Sequence, residues 1–198
     1  GIAAGMASSI ASFNLKEICD TTIALMKNPD HEVSDTLLAP DFVGGGYILY
    51  DKDEFNKIYK TGRGSVKVRA KYSYDKKYNC IDITQIPPTT TSEAIIDKVV
   101  ELVKTNKVKE ISDIRDETDL SGLKITIDLK RGIDADKFMT KLYKMTPLQD
   151  SFSCNFNVLI KGRPVVLGVR DILLEWVDFR LECIRRRITF NLNKKKNQ

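Results

Sequence analysis

From Ser65 onward the apolar positions fall at every second residue, with Val66, Val68, Ala70 and Tyr72 alternating with Lys67, Arg69 and Lys71. That period is the one a half-buried strand requires. Asp75-Lys76-Lys77 marks a turn and Tyr78 to Gln85 a returning strand, so a hairpin is expected. Leu123, Ile125, Ile127 and Leu129 repeat the alternation after Gly122, and Phe152, Cys154, Phe156, Val158 and Ile160 repeat it again before a turn at Gly162. Elsewhere the period lengthens to that of a helix. Asn14-Leu15-Lys16-Glu17 has the form of a capping box and predicts a helix to about Met26, ended at Asn28-Pro29-Asp30. Short helices are expected over Val33 to Leu38 and Asp51 to Tyr59. Longer ones are expected from Glu93 to Lys104, with Ile95, Ile96, Val99, Leu102 and Val103 inward, and from an Asp134 cap to Lys144. From Asp171 the chain has no Gly or Pro, predicting a helix of roughly 40 Å at ~1.5 Å per residue. Such a helix is too long to pack wholly on a small body, so it is expected to project. Strands and helices mixed with antiparallel hairpins define the α+β class.

The bulk numbers narrow the picture further. A chain of 198 residues with 42% hydrophobic content can bury one ordinary core, with or without an appendage. No run of apolar residues is long enough to span a bilayer, and no basic segment precedes the small apolar residues at the start. The opening Gly1-Ile2-Ala3-Ala4-Gly5-Met6 reads like the middle of a folded segment, so an excised fragment is expected. Cys19, Cys80, Cys154 and Cys183 are far apart with no C-x-x-C pair, which argues against a zinc site and a disulfide framework and suits buried thiols in a reducing cytosol.

Candidate chemistry is sparse. Gly62-Arg63-Gly64 is a lone G-x-G without the setting of a dinucleotide fingerprint. His31 has no second histidine to work with. The stretch Arg115-Asp116-Glu117-Thr118-Asp119 gathers three carboxylates that could hold Mg²⁺, but a solvated acidic turn is the preferred reading. No nucleophile is paired with a base, so the chain by itself does not read as an enzyme, and no catalytic or metal-ligating residue is assigned. The net charge of +5 permits an anionic partner without demanding one. If Val66, Val68 and Ala70 point inward, Lys67, Arg69 and Lys71 share the opposite face, with Arg63 just before them. Same-face residues roughly 7 Å apart suit successive phosphates, and equally suit an ordinary solvated strand face. The arginines and lysines of the terminal helix read as a solvated face. Its apolar residues Ile172, Leu173, Trp176, Cys183, Ile184 and Ile188 suggest packing against another helix.

Several segments together resemble a known family. Gly1 to Ala7 resembles the G-I-A-V-G-M-A segment of bacterial type IIA DNA topoisomerase A subunits (gyrase and topoisomerase IV). Tyr59 to Gly64 is similar to their Y-x-T-G-R-G, and Ile111 to Gly122 to I-S-x-x-R-D-E-S-D-x-x-G. Leu142-Tyr143, Thr146, Leu148-Gln149 and Ser151-Phe152 follow L-Y-x-x-T-x-L-Q-x-S-F, and Pro40-Asp41-Phe42 stands at the family's P-D-F. The matches are colinear and span nearly the whole chain. One departure is Ser8 to Asn14, where the family more usually has T-N-I-P-P-H-N.

The resemblance implies a tower domain over residues 15–169, with antiparallel sheet and packed helices. Residues 1–14 would end the winged-helix segment, and residues 170–198 would start the first coiled-coil helix. It implies that Ile2 wedges between base pairs of bound duplex DNA and that Arg63, Lys67, Arg69 and Lys71 face the bent DNA arms. The catalytic tyrosine would lie upstream, so the chain alone is expected to be inactive. It would bind no cofactor itself, Mg²⁺ and ATP being used by the partner B subunit. The implied partners are duplex DNA, a second A subunit and the B subunit, in the bacterial cytoplasm at the nucleoid, with the isolated chain a monomer. A non-enzymatic DNA-binding or scaffold protein of the same fold is the alternative.

Overall fold

The computed structural model describes residues 8–197. The expected α+β class is found: antiparallel sheets, packed helices and a 28-residue helix at the end. The chain packs as two compact units. The first comprises Gly1–Pro40, Asp51–Ser65 and Ser153–Gln198; the second comprises Asp41–Tyr50 and Val66–Phe152.

In the first unit, helix α1 covers Leu15–Lys27 and starts at Asn14, whose side chain accepts a hydrogen bond from the Glu17 amide. The capping box is only half formed. Glu17 turns its carboxylate to the Leu38 amide at 2.8 Å instead of reaching back to Asn14. The expected second helix shrinks to a single 3₁₀ turn, Val33–Asp35. Helix α2, Lys52–Thr61, is capped by Asp51 and ends at Gly62. Gly62 holds φ +73°, and a Cβ there would lie 2.2 Å from the Leu167 carbonyl, so the turn takes only glycine without strain. The final helix, Val169–Lys196, packs beside α1, and its Ile172, Leu173 and Trp176 line an apolar groove with α1 residues such as Ile18 and Thr22. Only Val169 of that helix is buried; Trp176, Phe179, Ile184, Ile188, Phe190 and Leu192 are exposed.

The second unit is a helix-on-sheet sandwich. Four antiparallel strands are ordered β3 (Lys71–Asp75), β4 (Cys80–Gln85), β6 (Ile125–Leu129) and β5 (Ile111–Asp116). One face of this sheet offers Ile81, Ile83, Ile125, Ile127 and Leu129 to α3 (Ser92–Lys104) and α4 (Ala135–Met145). The helices reply with Ile95, Val99, Leu102, Phe138, Met139 and Leu142, all buried. Truncating one of these, such as Met139, would cost about 2–5 kcal/mol.

A smaller sheet is ordered β1 (Tyr47–Ile48), β2 (Arg63–Arg69) and β7 (Gln149–Asn155). A separate hairpin pairs β8 (Asn157–Ile160) with β9 (Arg163–Val166), completing the element series with the final helix as α5.

Three strand expectations change. The alternating run from Ser65 to Tyr72 is two strands, β2 and β3, in two different sheets, divided at Ala70. There the Ala70 amide bonds the Leu148 carbonyl at 2.7 Å and its carbonyl accepts from the Tyr143 hydroxyl at 3.0 Å. The run from Phe152 to Ile160 likewise splits at Phe156, which is buried. The acidic stretch read as a turn is in part a strand, β5. Ile111 and Ile114 both pack against the core despite their three-residue spacing, because the register shifts between Ile111 and Asp113.

Candidate nucleic-acid interface

Lys67 and Arg69 lie on β2, and Lys71 opens β3 beyond the break at Ala70. The three therefore do not form one continuous strand row. Arg69 and Lys71 are linked by another route: Tyr47 of β1 stands directly across from Arg69, and the Lys71 ammonium lies 6.0 Å from the centre of the Tyr47 ring. The close fit of β1 to this edge depends on Gly46. It holds φ +81°, and a Cβ on it would lie 2.0 Å from the Arg69 carbonyl.

Arg69 is the most defined of the three cations. Its Nε donates to the Gln149 side-chain oxygen at 2.6 Å, and its guanidinium carbon lies 5.1 Å from the centre of the Tyr143 ring. An exposed cation–π contact contributes about 0.5–1 kcal/mol and a neutral hydrogen bond about 1 kcal/mol, enough to bias a long side chain into one rotamer. Burial pushes the Tyr143 phenol up, against the pull of Arg69, so the ring stays neutral at ordinary pH and its hydroxyl can donate to Ala70. Both holders are uncharged. None of Lys67, Arg69 and Lys71 forms a salt bridge among the described residues. A preorganised, unneutralised guanidinium with two terminal nitrogens available is suited to a phosphate oxygen.

Arg63 belongs to the first unit, where it follows the Gly62 turn and is exposed. Ile2 lies outside the described residues. His31 has a structural place: its Nε2 is 2.9 Å from the Thr36 hydroxyl, and its carbonyl accepts from Arg170. The carboxylates of the acidic stretch face separate partners. Asp116 accepts from the Thr118 amide and Asp119 from the Ser121 amide, while Glu117 pairs with Arg115 and Lys124. Each is held below its ordinary pKa, Asp116 chiefly by the Thr118 side chain, Asp119 chiefly by the Ser121 hydroxyl, and Glu117 by Arg115 and then Thr126. Two of the four thiols, Cys80 and Cys154, are buried, and burial pushes Cys154 up to about 11.

The residues that hold Arg69 are not visible from its own strand. Tyr143 and Gln149 lie far along the chain, although both fall within the segment Leu142 to Phe152 that carries the family resemblance. Tyr47 had no comparable signal.

The match to known proteins extends over the whole chain. Residues 1–198 fit the family model for the A subunit of DNA gyrase/topoisomerase IV, and the chain belongs to that family, which makes it a relative of type II topoisomerase A subunits. Among individual relatives, it is 39% identical over 204 residues to the DNA gyrase A subunit of Borreliella burgdorferi, covering all of this chain and 25% of that protein. The chloroplastic/mitochondrial DNA gyrase A subunit of Arabidopsis thaliana is 39% identical over 201 residues, covering 98% of this chain and 21% of the relative. The DNA gyrase A subunit of Staphylococcus epidermidis is 35% identical over 205 residues, covering all of this chain and 23% of the relative. The chain thus spans about a quarter of the length of the curated relatives it matches. No helix among the described residues is long and apolar enough to cross a membrane.

Proposed function

We propose that this chain holds and bends duplex DNA as part of the A subunit of an ATP-dependent type II DNA topoisomerase. In the intact enzyme, both strands of a bent duplex are cut through tyrosyl bonds, a second duplex is passed, and the break is resealed. Here the catalytic tyrosine belongs to a segment outside this chain, so the chain alone is inactive. Mg²⁺ and ATP belong to the partner B subunit. A second copy of the A subunit completes the assembly in the bacterial cytoplasm. Ile2 is the proposed base-pair wedge, on the strength of its position in the family motif. The observation that carries the reading for the described residues is Arg69, oriented by Tyr143 and Gln149 and left unneutralised beside Lys67 and Lys71.

The test is fluorescence anisotropy of a labelled duplex of ~30 base pairs over a salt series, where each lost phosphate contact lowers the log–log slope by about 0.9. The Lys67/Arg69/Lys71→Ala triple variant is expected to bind more weakly with a slope shallower by about 2–3. Arg63→Ala is measured separately, because it sits in the other unit. A triple variant with unchanged affinity and slope would remove these residues from the interface.

A further inference from the structure

We propose that the β3–β4 hairpin carries a site for a thiophilic divalent cation of the zinc or cadmium type, held by Asp75, Cys80 and Asp82. The cysteine spacing gave no hint of it, since the partners of the thiol come from a turn and not from a second cysteine. Asp75 and Cys80 are directly paired across the hairpin, so their side chains share a face. Asp82 is two residues on from Cys80 along β4 and shares that face by the strand period. One ligand atom from each lies within 4.8 Å of the others, and among the described residues this is the group of three that converges. Around a tetrahedral zinc such atoms would be roughly 3.5 Å apart, so closure takes about 1 Å of movement, within reach of carboxylate rotation.

Three features go beyond a chance cluster. Residue Cys80 is 5% exposed, and its thiol makes no hydrogen bond among the described residues and faces the two carboxylates. Each carboxylate is already oriented through one oxygen, and the Lys124 ammonium that shares the Asp82 charge would yield it to a bound cation. Asp75 Oδ1 accepts from the Lys77 amide at 2.9 Å, and Asp82 Oδ1 from the Thr126 hydroxyl at 3.1 Å. Such outer bonds are what fix ligands at metal sites. The group also opens on a polar depression, lined by Tyr78, Ser112 and Thr126 among others, that admits water to a fourth position. Asp128, paired with Cys80 on β6, is engaged by Arg115 and stays outside the ligand set. One sulfur and two oxygens favour a borderline or soft cation over Ca²⁺ or Mg²⁺, which take six or more oxygens. On binding, the sulfur–metal bond replaces the sulfur–hydrogen bond, and the thiol proton leaves to water.

The site is independent of the DNA reading and is tested without DNA. The reduced full chain is titrated with Cd²⁺, following the ultraviolet thiolate-to-cadmium charge-transfer band, and with Zn²⁺ by calorimetry. One equivalent is expected to bind. Cys80→Ser should abolish the band, Asp75→Asn and Asp82→Asn should each weaken binding at least about tenfold, and Cys19→Ser/Cys183→Ser should leave it intact. Should Cys80→Ser fail to fold, Asp75→Asn on the hairpin decides, with circular dichroism as the check on folding. Asparagine variants that bind like the wild type would overturn the proposal, as would a band that disappears in Cys19→Ser/Cys183→Ser.

Discussion

Arg69 and Arg115 both sit at the surface of the second unit, and their neighbours are of opposite kinds. Arg115 lies on the open face of the four-stranded sheet, with its guanidinium against Asp113, Glu117 and Asp128. Hydrogen bonds to Asp128, Glu117 and Asp113, in that order of importance, hold its proton more firmly than usual. Arg69 is also fixed, but by an amide oxygen and an aromatic ring. The difference separates two tasks that a charged side chain can perform. Carboxylates fix an arginine by consuming its charge, which serves cohesion of the sheet. Neutral partners fix it without consuming the charge, leaving the guanidinium for an outside anion.

The largest expected effect strikes the platform behind Arg69. Gly46→Val would force a side chain into the Arg69 carbonyl at a positive φ, and should cost about 3 kcal/mol of stability in urea unfolding. A variant of near wild-type stability would show that β1 does not support this edge as described.

The next test sets the two arginines against each other. Arg69→Ala should weaken DNA binding several-fold and reduce the salt slope by about one, whereas Arg115→Ala should leave the slope unchanged and lower the melting temperature. Arg69→Lys keeps the charge but loses the planar contact to Tyr143, so slope should be retained while affinity falls. Equal effects of the two alanine variants on DNA would collapse the distinction.

The smallest effect tests charge consumption elsewhere in the unit. Burial tends to raise the Glu110 pKa, but the hydrogen bonds from Lys141 at 2.8 Å and from the Lys109 amide outweigh it and hold the carboxyl below its ordinary value. A depressed carboxyl contributes stability above its unfolded value and loses it as pH falls through the folded one. Glu110→Gln should therefore cost about 0.5 kcal/mol near neutral pH, with the difference shrinking as the pH falls through the lowered pKa of the folded carboxyl. A pH-independent difference would assign the effect to packing.

Much of the fold could be read from residue order. The inward positions Val66, Val68, Ile125, Ile127 and Leu129 are all buried as the alternation requires, and the helix starts at Asn14 and Asp134 follow from local capping chemistry. The failures share a cause. A period of two persists through Ala70 and Phe156 because strands on either side obey the same rule, whichever sheet they join. The division at Ala70 is set by Leu148 and Tyr143, which are remote in sequence. Strand β5 escaped notice because a register shift turns an inward spacing of two into three. The candidate interface was legible as cations, while the neutral groups that orient Arg69 became meaningful only once the fold joined them.

Trp176 is the single tryptophan of the chain, half exposed on α5 in the first unit. Of the seven tyrosines, six (Tyr47, Tyr50, Tyr72, Tyr74, Tyr78 and Tyr143) fall in the second unit and only Tyr59 in the first. The protein therefore carries its own two-colour optical label. Excitation at the red edge of the aromatic band reports the first unit alone, while the tyrosine signal reports mainly the second. Coincident midpoints in a single denaturant series would mean one cooperative folding unit, and separated midpoints would assign a free energy to each half without any added dye.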